Sequence, residues 1–362
     1  MVVYITPAEG NGGILQFSTT VARETKKFHE CLLFVPDSVD DKFLIDVKDC
    51  ICRYTKIKTV NNKDNRIKLL CQQVIDLKPE KVVFLEDSVL MQQMNSILRK
   101  KKITTAIVIH DVVYHPANSL TLRRKIVEHL RQHSLNKTIN TASCLILLSN
   151  NSVRYFQERH PKYKAKTIMF RLGAHVPNVG GTRPGEIENQ IKEYILFFGR
   201  IDKYKGIGRL CKAYSSLSQE EQKNTKLVIA GRGAFSEEEQ SLIEGNKNII
   251  SINRFITDEE MVWLMQHTKA VVVPYIEASQ SGVVPIAYHF GKPVISSNLP
   301  GLVENIVPDK TGIIFDDVAG LKTALEKTCN NSIDIRNSDI SSFYEDTYNW
   351  ENNIRKLLDE VV

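Results

Sequence analysis

The sequence predicts an α/β protein made of two doubly wound, parallel-sheet halves that face a central cleft. Three observations carry this prediction. Short apolar runs of strand type alternate with stretches of helical period along nearly the whole chain. A connection rich in Gly and Pro, residues 173–185, breaks that alternation near its middle. The length, 362 residues, suits about two domains of ordinary size.

In the first half, residues 2–5 form a strand, followed by the loop Glu9, Gly10, Asn11, Gly12, Gly13 and a helical pattern over 14–27. Strands are expected over 31–35, 81–85, 103–109, 144–149 and 166–170, and helices over 65–77, 88–98, 119–141 and 151–158. Strand–helix alternation of this kind argues for a parallel sheet covered on both faces. The second half repeats the rhythm, with strands over 195–198, 226–230, 249–252, 270–273, 293–296 and 312–315. Helices are expected over 207–217, over 277–289 and over 318–328, with a short helical piece over 303–306. A further helix carries Glu237, Glu238 and Glu239 in its early part, and another begins at Thr257 with Asp258, Glu259 and Glu260 in its first turn. The division expected is 1–175, 176–340 and a helical tail over 341–362 anchored by Phe343, Tyr348, Trp350, Ile354, Leu357 and Leu358.

Composition narrows the class. With 42% hydrophobic and 25% charged residues, the chain reads as soluble and globular. No apolar window approaches the roughly 18 residues of a membrane span. The N-terminus reads as a first strand instead of a secretion signal, so a cytoplasmic location is expected. Seven scattered Cys, an odd number without zinc-ligand spacing, argue against a disulfide framework and read as small buried apolar residues. Charge is unevenly spread: residues 1–180 hold 28 Lys and Arg against 16 Asp and Glu, and the remainder holds 20 against 26. A basic half suggests an anionic neighbour, whether a membrane surface, a lipid phosphate or nucleic acid. The block Arg99, Lys100, Lys101, Lys102 and the cations Arg123, Arg124, Lys125, Arg131 and Lys137 supply much of that charge. The apolar stripe between the latter reads as core, while a basic amphipathic helix can also rest on anionic lipid.

The candidate chemistry gathers at strand ends. In an open α/β sheet, ligands bind beyond the carboxyl ends of the strands. Gly199 ends the strand over 195–198, and Arg200 and Lys205 follow it before the next helix. Two cations beside a helix start with its N–H groups suit a diphosphate. The loop at Gly12 and Gly13 brings backbone N–H groups near the same kind of group. So does the helix start over Ser279, Ser281, Gly282 and Val283, while Glu277 offers a carboxylate to sugar hydroxyls. His110 ends the strand over 103–109. No acidic pair of metal-binding type stands out, so the negative charge is expected to be met by side chains and N–H groups, without a metal or other cofactor.

Several motifs resemble one known family. Phe-Gly-Arg-Ile-x-x-Tyr-Lys-Gly at 198–206, Ile-Ala-Gly-x-Gly at 229–233, Glu-Ala-Ser-Gln-Ser-Gly at 277–282 and Phe-Gly-Lys-Pro-Val at 290–294 look like retaining glycosyltransferase family 4. The resemblance implies the GT-B fold, two Rossmann-like domains about a cleft, with the first domain taking the acceptor and the second the donor. Tyr348-Asn349-Trp350-Glu351 resembles the family's closing helix, which crosses back to the first domain. It also implies roles: Arg200 and Lys205 as the diphosphate pair, Ser281 and Gly282 at phosphate, Gly12 and Gly13 in a closing loop, His110 near the transferred sugar, Glu277 on sugar hydroxyls. Gly199, Gly231, Ser279 and Val283 complete the expected donor site. One position departs from the pattern, since Ile286 stands where the family has a second Glu that grips ribose, and Glu304 is the substitute considered.

The activity implied is transfer of a hexose from a nucleotide diphosphate sugar, expected to be a UDP-sugar, to a saccharide or lipid-linked glycan. Surface polysaccharides such as lipopolysaccharide or capsule, made at the inner membrane face, are the expected setting. Two rival readings fit part of the sequence. A sugar-nucleotide epimerase of similar shape would bind the same diphosphate and need no acceptor. A nucleic-acid binder would use the basic half, yet the chain shows no aromatic–basic interleaving of a known module, and no nucleic-acid partner is expected. A dehydrogenase fits worse, because the first loop lacks Gly-x-Gly-x-x-Gly.

Overall fold

The computed structural model describes residues 1–9, 13–57, 65–110, 133, 136, 139, 142–161, 167–278 and 280–361. The chain divides into two compact units, Met1–Arg171 with Trp350–Val362, and Leu172–Asn349.

Unit 1 runs β1 (Val2–Ile5), α1 (Gly13–Thr25), β2 (Cys31–Pro36), β3 (Ile51–Tyr54), α2 (Asn65–Asp76), β4 (Lys81–Phe84), α3 (Val89–Lys100), β5 (Thr105–Ile109), β6 (Cys144–Leu147), α4 (Asn150–Arg159) and β7 (Thr167–Met169). The strands form one parallel sheet in the order β3-β2-β1-β4-β5-β6-β7. Every residue of β1, β4 and β5 is buried, as a strand covered by helices on both faces requires. Val3, Ile5, Val82, Phe84, Ile107 and Leu145 make the centre of that core.

Unit 2 runs β8 (Tyr194–Phe198), α5 (Ile207–Ser215), α6 (Gln219–Asn224), β9 (Lys226–Gly231), α7 (Glu237–Glu244), β10 (Ile249–Asn253), α8 (Asp258–His267), β11 (Ala270–Val273), α9 (Val283–His289), β12 (Val294–Ser297), α10 (Pro300–Val303), β13 (Gly312–Phe315), α11 (Val318–Cys329) and α12 (Asn337–Tyr348). Its parallel sheet has the order β10-β9-β8-β11-β12-β13. The order reverses direction between β8 and β11, which pair directly through Ala270 with Ile195 and Val271 with Leu196. Helix starts here are written locally. Ser218, Ser236 and Thr257 each close a reciprocal capping box with the Glu three residues on.

The tail is two helices. α12 stays in unit 2, where the Tyr348 hydroxyl donates to Asn305 Oδ1 at 2.7 Å and Phe343 meets Tyr288 edge-on at 5.7 Å. After Asn349 comes α13 (Trp350–Val361), which belongs to unit 1. There Trp350 lies 6.4 Å from Phe17 and 6.0 Å from Phe170, Asn353 Nδ2 donates to the Arg171 carbonyl at 3.3 Å, and Lys81 Nζ donates to the Leu358 carbonyl.

Several expectations are corrected. The continuous tail helix from 341 breaks at Asn349, whose extended backbone (φ −60°, ψ 117°) ends α12. β3 is a strand the sequence does not predict, because Ile-Cys-Arg-Tyr lies at the sheet edge with one buried side chain and carries no apolar run. The helix expected to open at 277 begins only at Val283, and the piece expected over 303–306 lies at Pro300–Val303, started by its proline. The reading of the cysteines stands: all seven are free thiols, five of them buried. Among the described residues no helix is long and apolar enough to cross a membrane.

Candidate functional site

In unit 2 the site residues converge where the strand order reverses, the position at which open α/β sheets bind ligands. β8 ends at Phe198 and β9 at Gly231, and their exits touch. Gly199 N donates to the Ala230 carbonyl at 3.0 Å, and Ile201 N to the Arg232 carbonyl at 3.0 Å. A Cβ on Gly231, at φ +155°, would lie 1.8 Å from the Gly199 oxygen. Gly199 itself has φ +129°, with Val283 Cγ2 3.9 Å from where its Cβ would be. Gly231 is therefore required by close backbone approach and Gly199 by its positive φ, with Val283 beside it.

The chain then turns through Lys203–Lys205 into α5. Gly206 adopts the left-handed conformation (φ 69°), and a Cβ there would lie 1.9 Å from the Pro274 oxygen. Ile276 N donates to the Tyr204 carbonyl at 2.8 Å, so the loop after β8 is fastened to the loop after β11. Arg200 is exposed, its Nη2 3.3 Å from the Tyr204 hydroxyl and its Nε 3.9 Å from Asp202 Oδ2. Lys205 is half-buried, and its Nζ lies 3.6 Å from the centre of the Tyr275 ring and 4.9 Å from that of Tyr204. Burial, then the neighbouring Arg200 charge, brings its ammonium down to about 8 against a smaller opposing pull from Asp202.

The Tyr275 hydroxyl lies 3.2 Å from Ser281 Oγ, which also accepts from Val283 N at 3.3 Å. The segment is held from below by Arg209 on α5. Its Nε donates to the Pro274 carbonyl at 2.7 Å, and its Nη2 donates to the Tyr275 carbonyl and to Ser297 Oγ. Burial lowers the pKa of this guanidinium. Glu277 is exposed on the same segment, and Gly282 precedes α9 without a side-chain cap. Ile286, where the resembled family has its second Glu, lies on α9 packed against the unit 2 core. Glu304 follows α10, half-buried.

The remaining candidates belong to unit 1. Gly13 is the exposed first residue of α1, with open space where a Cβ would be. His110 follows β5, and its Nε2 donates to the Leu85 carbonyl at 2.9 Å. Phe17 of α1 meets the imidazole at right angles, 5.2 Å between ring centres. Gly12 and Ser279 lie outside the described residues, as does all of the basic stretch 119–141 except 133, 136 and 139. The block Arg99 to Lys102 is exposed at the C-terminal end of α3, where cations also suit the helix dipole.

Four groups were not singled out as functional candidates in the sequence: Tyr204, Arg209, Tyr275 and Glu86. The first three join segments far apart in the chain; no local spacing announces Arg209 or Tyr275, and Tyr204 stands within the 198–206 motif with no role attached to it. Glu86 follows β4 beside Leu85, where the order of the unit 1 sheet reverses next to β1, and burial followed by the Asp87 charge pushes its carboxyl up to about 7.

The folds of the two units define a class, two parallel α/β sheets of GT-B type. The UDP complex of Anabaena HepE superposes with a TM-score of 0.75, covering 99% of this chain and 98% of that one at 14% identity. The lipopolysaccharide outer core galactosyltransferase WaaB in its apo form superposes at 0.70 with 15% identity, covering 100% and 99%. Likeness at such identities concerns fold. Sequence goes one step further: residues 182–341, within unit 2, match the family Glycosyl transferases group 1. An uncharacterised glycosyltransferase of Methanocaldococcus jannaschii is 31% identical over 124 residues, 34% of this chain and 31% of that protein. The chain spans between 31% and 57% of the length of the curated relatives it matches. The Arg200, Lys205 and Ser281 cluster lies within the residues that match this family.

Proposed function

We propose that the chain is a retaining glycosyltransferase of family 4 that moves a hexose from a UDP-sugar to a saccharide or lipid-linked glycan. The observation that carries this reading is the gathering of Arg200, Lys205 and Ser281 at the reversal point of the unit 2 sheet. HepE, of the same fold, is described with UDP bound.

In this reading the two cations and the Ser281 hydroxyl meet the diphosphate. As the bond from the sugar to the phosphate oxygen breaks, charge grows on that oxygen, and Arg200 and Lys205 stabilise it. Donors aimed at developing charge contribute about 3–4 kcal/mol each. The acceptor hydroxyl gives its proton to the departing phosphate while attacking from the same face, so configuration is kept and no protein nucleophile is needed. Glu277 is assigned to sugar hydroxyls and His110 to the transferred sugar. Its Nε2–H is committed to the Leu85 carbonyl, which fixes the ring orientation. Gly12, Gly13, Gly199, Gly231, Ser279, Gly282 and Val283 are assigned to donor binding. The reaction is assigned no metal or other cofactor. A surface polysaccharide or lipopolysaccharide as the product, cytoplasmic location, and contact of the basic unit 1 with an anionic membrane belong to the same proposal, supported by the charge distribution and the WaaB fold.

Incubation with a panel of UDP-hexoses, with and without glycan acceptors, tests it. The expected outcome is UDP release that requires an acceptor, a product of unchanged anomeric configuration by NMR, and turnover that survives EDTA. An isomerised sugar nucleotide without acceptor would identify an epimerase instead, and inversion at the anomeric carbon would refute retention.

A further inference from the structure

Lysine carries its charge on a flexible four-carbon stem, so a lysine that must meet a phosphate at one place needs something to hold it there. A carboxylate would do so only by competing with the incoming anion. What faces the Lys205 ammonium is aromatic: the Tyr275 ring at 3.6 Å and the Tyr204 ring at 4.9 Å. The negative face of a ring attracts a cation without adding a rival charge, and more strongly where water is partly excluded.

The rings are themselves fixed. Tyr275 is 1% exposed, and Arg209 holds its backbone. Tyr204 is tied through its carbonyl to Ile276 N and stands at 72° to Tyr275, 6.4 Å between centres. Each hydroxyl then reaches a second member of the cluster, Tyr275 to Ser281 and Tyr204 to Arg200. We propose that Tyr275 and Tyr204 are positioning residues that hold Lys205, Arg200 and Ser281 as one preassembled anion-binding array. The inference rests on the donor reading given above. Arranging the donors before the ligand arrives lowers the ordering cost of binding.

Two measurements test it on the full chain. In the first, lysines are reductively methylated with a carbon-13 label and the Lys205 signal, assigned by its loss in Lys205→Arg, is read without ligand. Stacking predicts an upfield ring-current shift that Tyr275→Leu removes. A Lys205 signal at the position of exposed lysines would overturn the proposal. In the second, UDP affinity is read by NMR titration in a double-mutant cycle. Tyr275→Leu is expected to weaken UDP by about 5- to 30-fold in the native background. In Lys205→Met the same change should cost severalfold less, because only the hold of its hydroxyl on Ser281 remains to be lost. Equal losses in both backgrounds would assign Tyr275 a merely structural role and overturn the proposal. Tyr204→Leu, at a half-buried position, gives the same readout should Tyr275→Leu fail to fold, and Tyr275→Phe should keep the Lys205 shift. A native chain that binds no UDP would overturn the donor reading, whereas a native chain that binds UDP as tightly as its Tyr275→Leu variant would overturn this inference alone.

Discussion

At the scale of single residues, Lys205 is where charge and environment conflict most usefully. Burial and Arg200 bring its ammonium to about 8, so the free protein keeps the charge below that pH and loses it as pH rises through it. A diphosphate needs the charged form. UDP affinity should therefore hold steady near pH 7 and fall about tenfold by pH 9, as expected when one proton gates binding. Lys205→Arg should remove this fall, because a guanidinium stays charged. Isothermal titration across pH 7–9 checks both, and a flat profile in the unmodified protein would contradict the account. Arg200 and Lys205 were legible in the sequence because each is a cation a few residues past an apolar run. Tyr275 was not, because its partner Lys205 lies in another loop and meets it only once β8 and β11 pair. Glu86 was illegible for a similar reason, since its environment is made by strands distant in sequence.

At the scale of elements, Arg209 binds α5 to the ends of β11 and β12. Its guanidinium satisfies the Pro274 and Tyr275 carbonyls exactly where the chain leaves the sheet to form the site, so its loss strands buried acceptors. Arg209→Met should lower stability by about 1.5–3 kcal/mol, the range for hydrogen bonds to a charged group, and should weaken UDP through the displaced Tyr275. Denaturant unfolding with a parallel binding assay reads both. An unchanged midpoint would show that the carbonyls find other partners. The strands that were legible are those buried on both faces, such as β4 and β11, since burial forces a continuous apolar run. Edge strand β3 and the start of α9 escape that logic: the strand lacks the burial, and the helix, legible to its end at His289, is too short at seven residues for its period to fix where it begins.

For the whole molecule, the chain passes between its units twice, after Arg171 and after Asn349. The second passage returns α13 to unit 1, where Ile354, Leu357 and Leu358 are buried. Burying each such side chain contributes about 2 kcal/mol, a sizeable share of the about 5–15 kcal/mol that holds a domain together. Truncation after Asn349 should therefore strip hydrogen-exchange protection from α1 and β1 while the strands of unit 2 keep theirs. Uniform loss across both units would mean that they unfold as one. The two-unit plan was legible from the repeated strand–helix rhythm and the Gly-rich connection. The break at Asn349 was not, because Phe343 and Trp350, seven residues apart, stand in register with one continuous helix. The central claim is that the Arg200, Lys205 and Ser281 cluster of unit 2 holds the diphosphate of a sugar donor. The most direct measurement is UDP binding by titration calorimetry to the native chain and to Lys205→Ala at pH 7. The account predicts micromolar binding that the substitution weakens by about 100-fold, with unchanged circular dichroism. Equal affinity in the two proteins, or none in either, would contradict it.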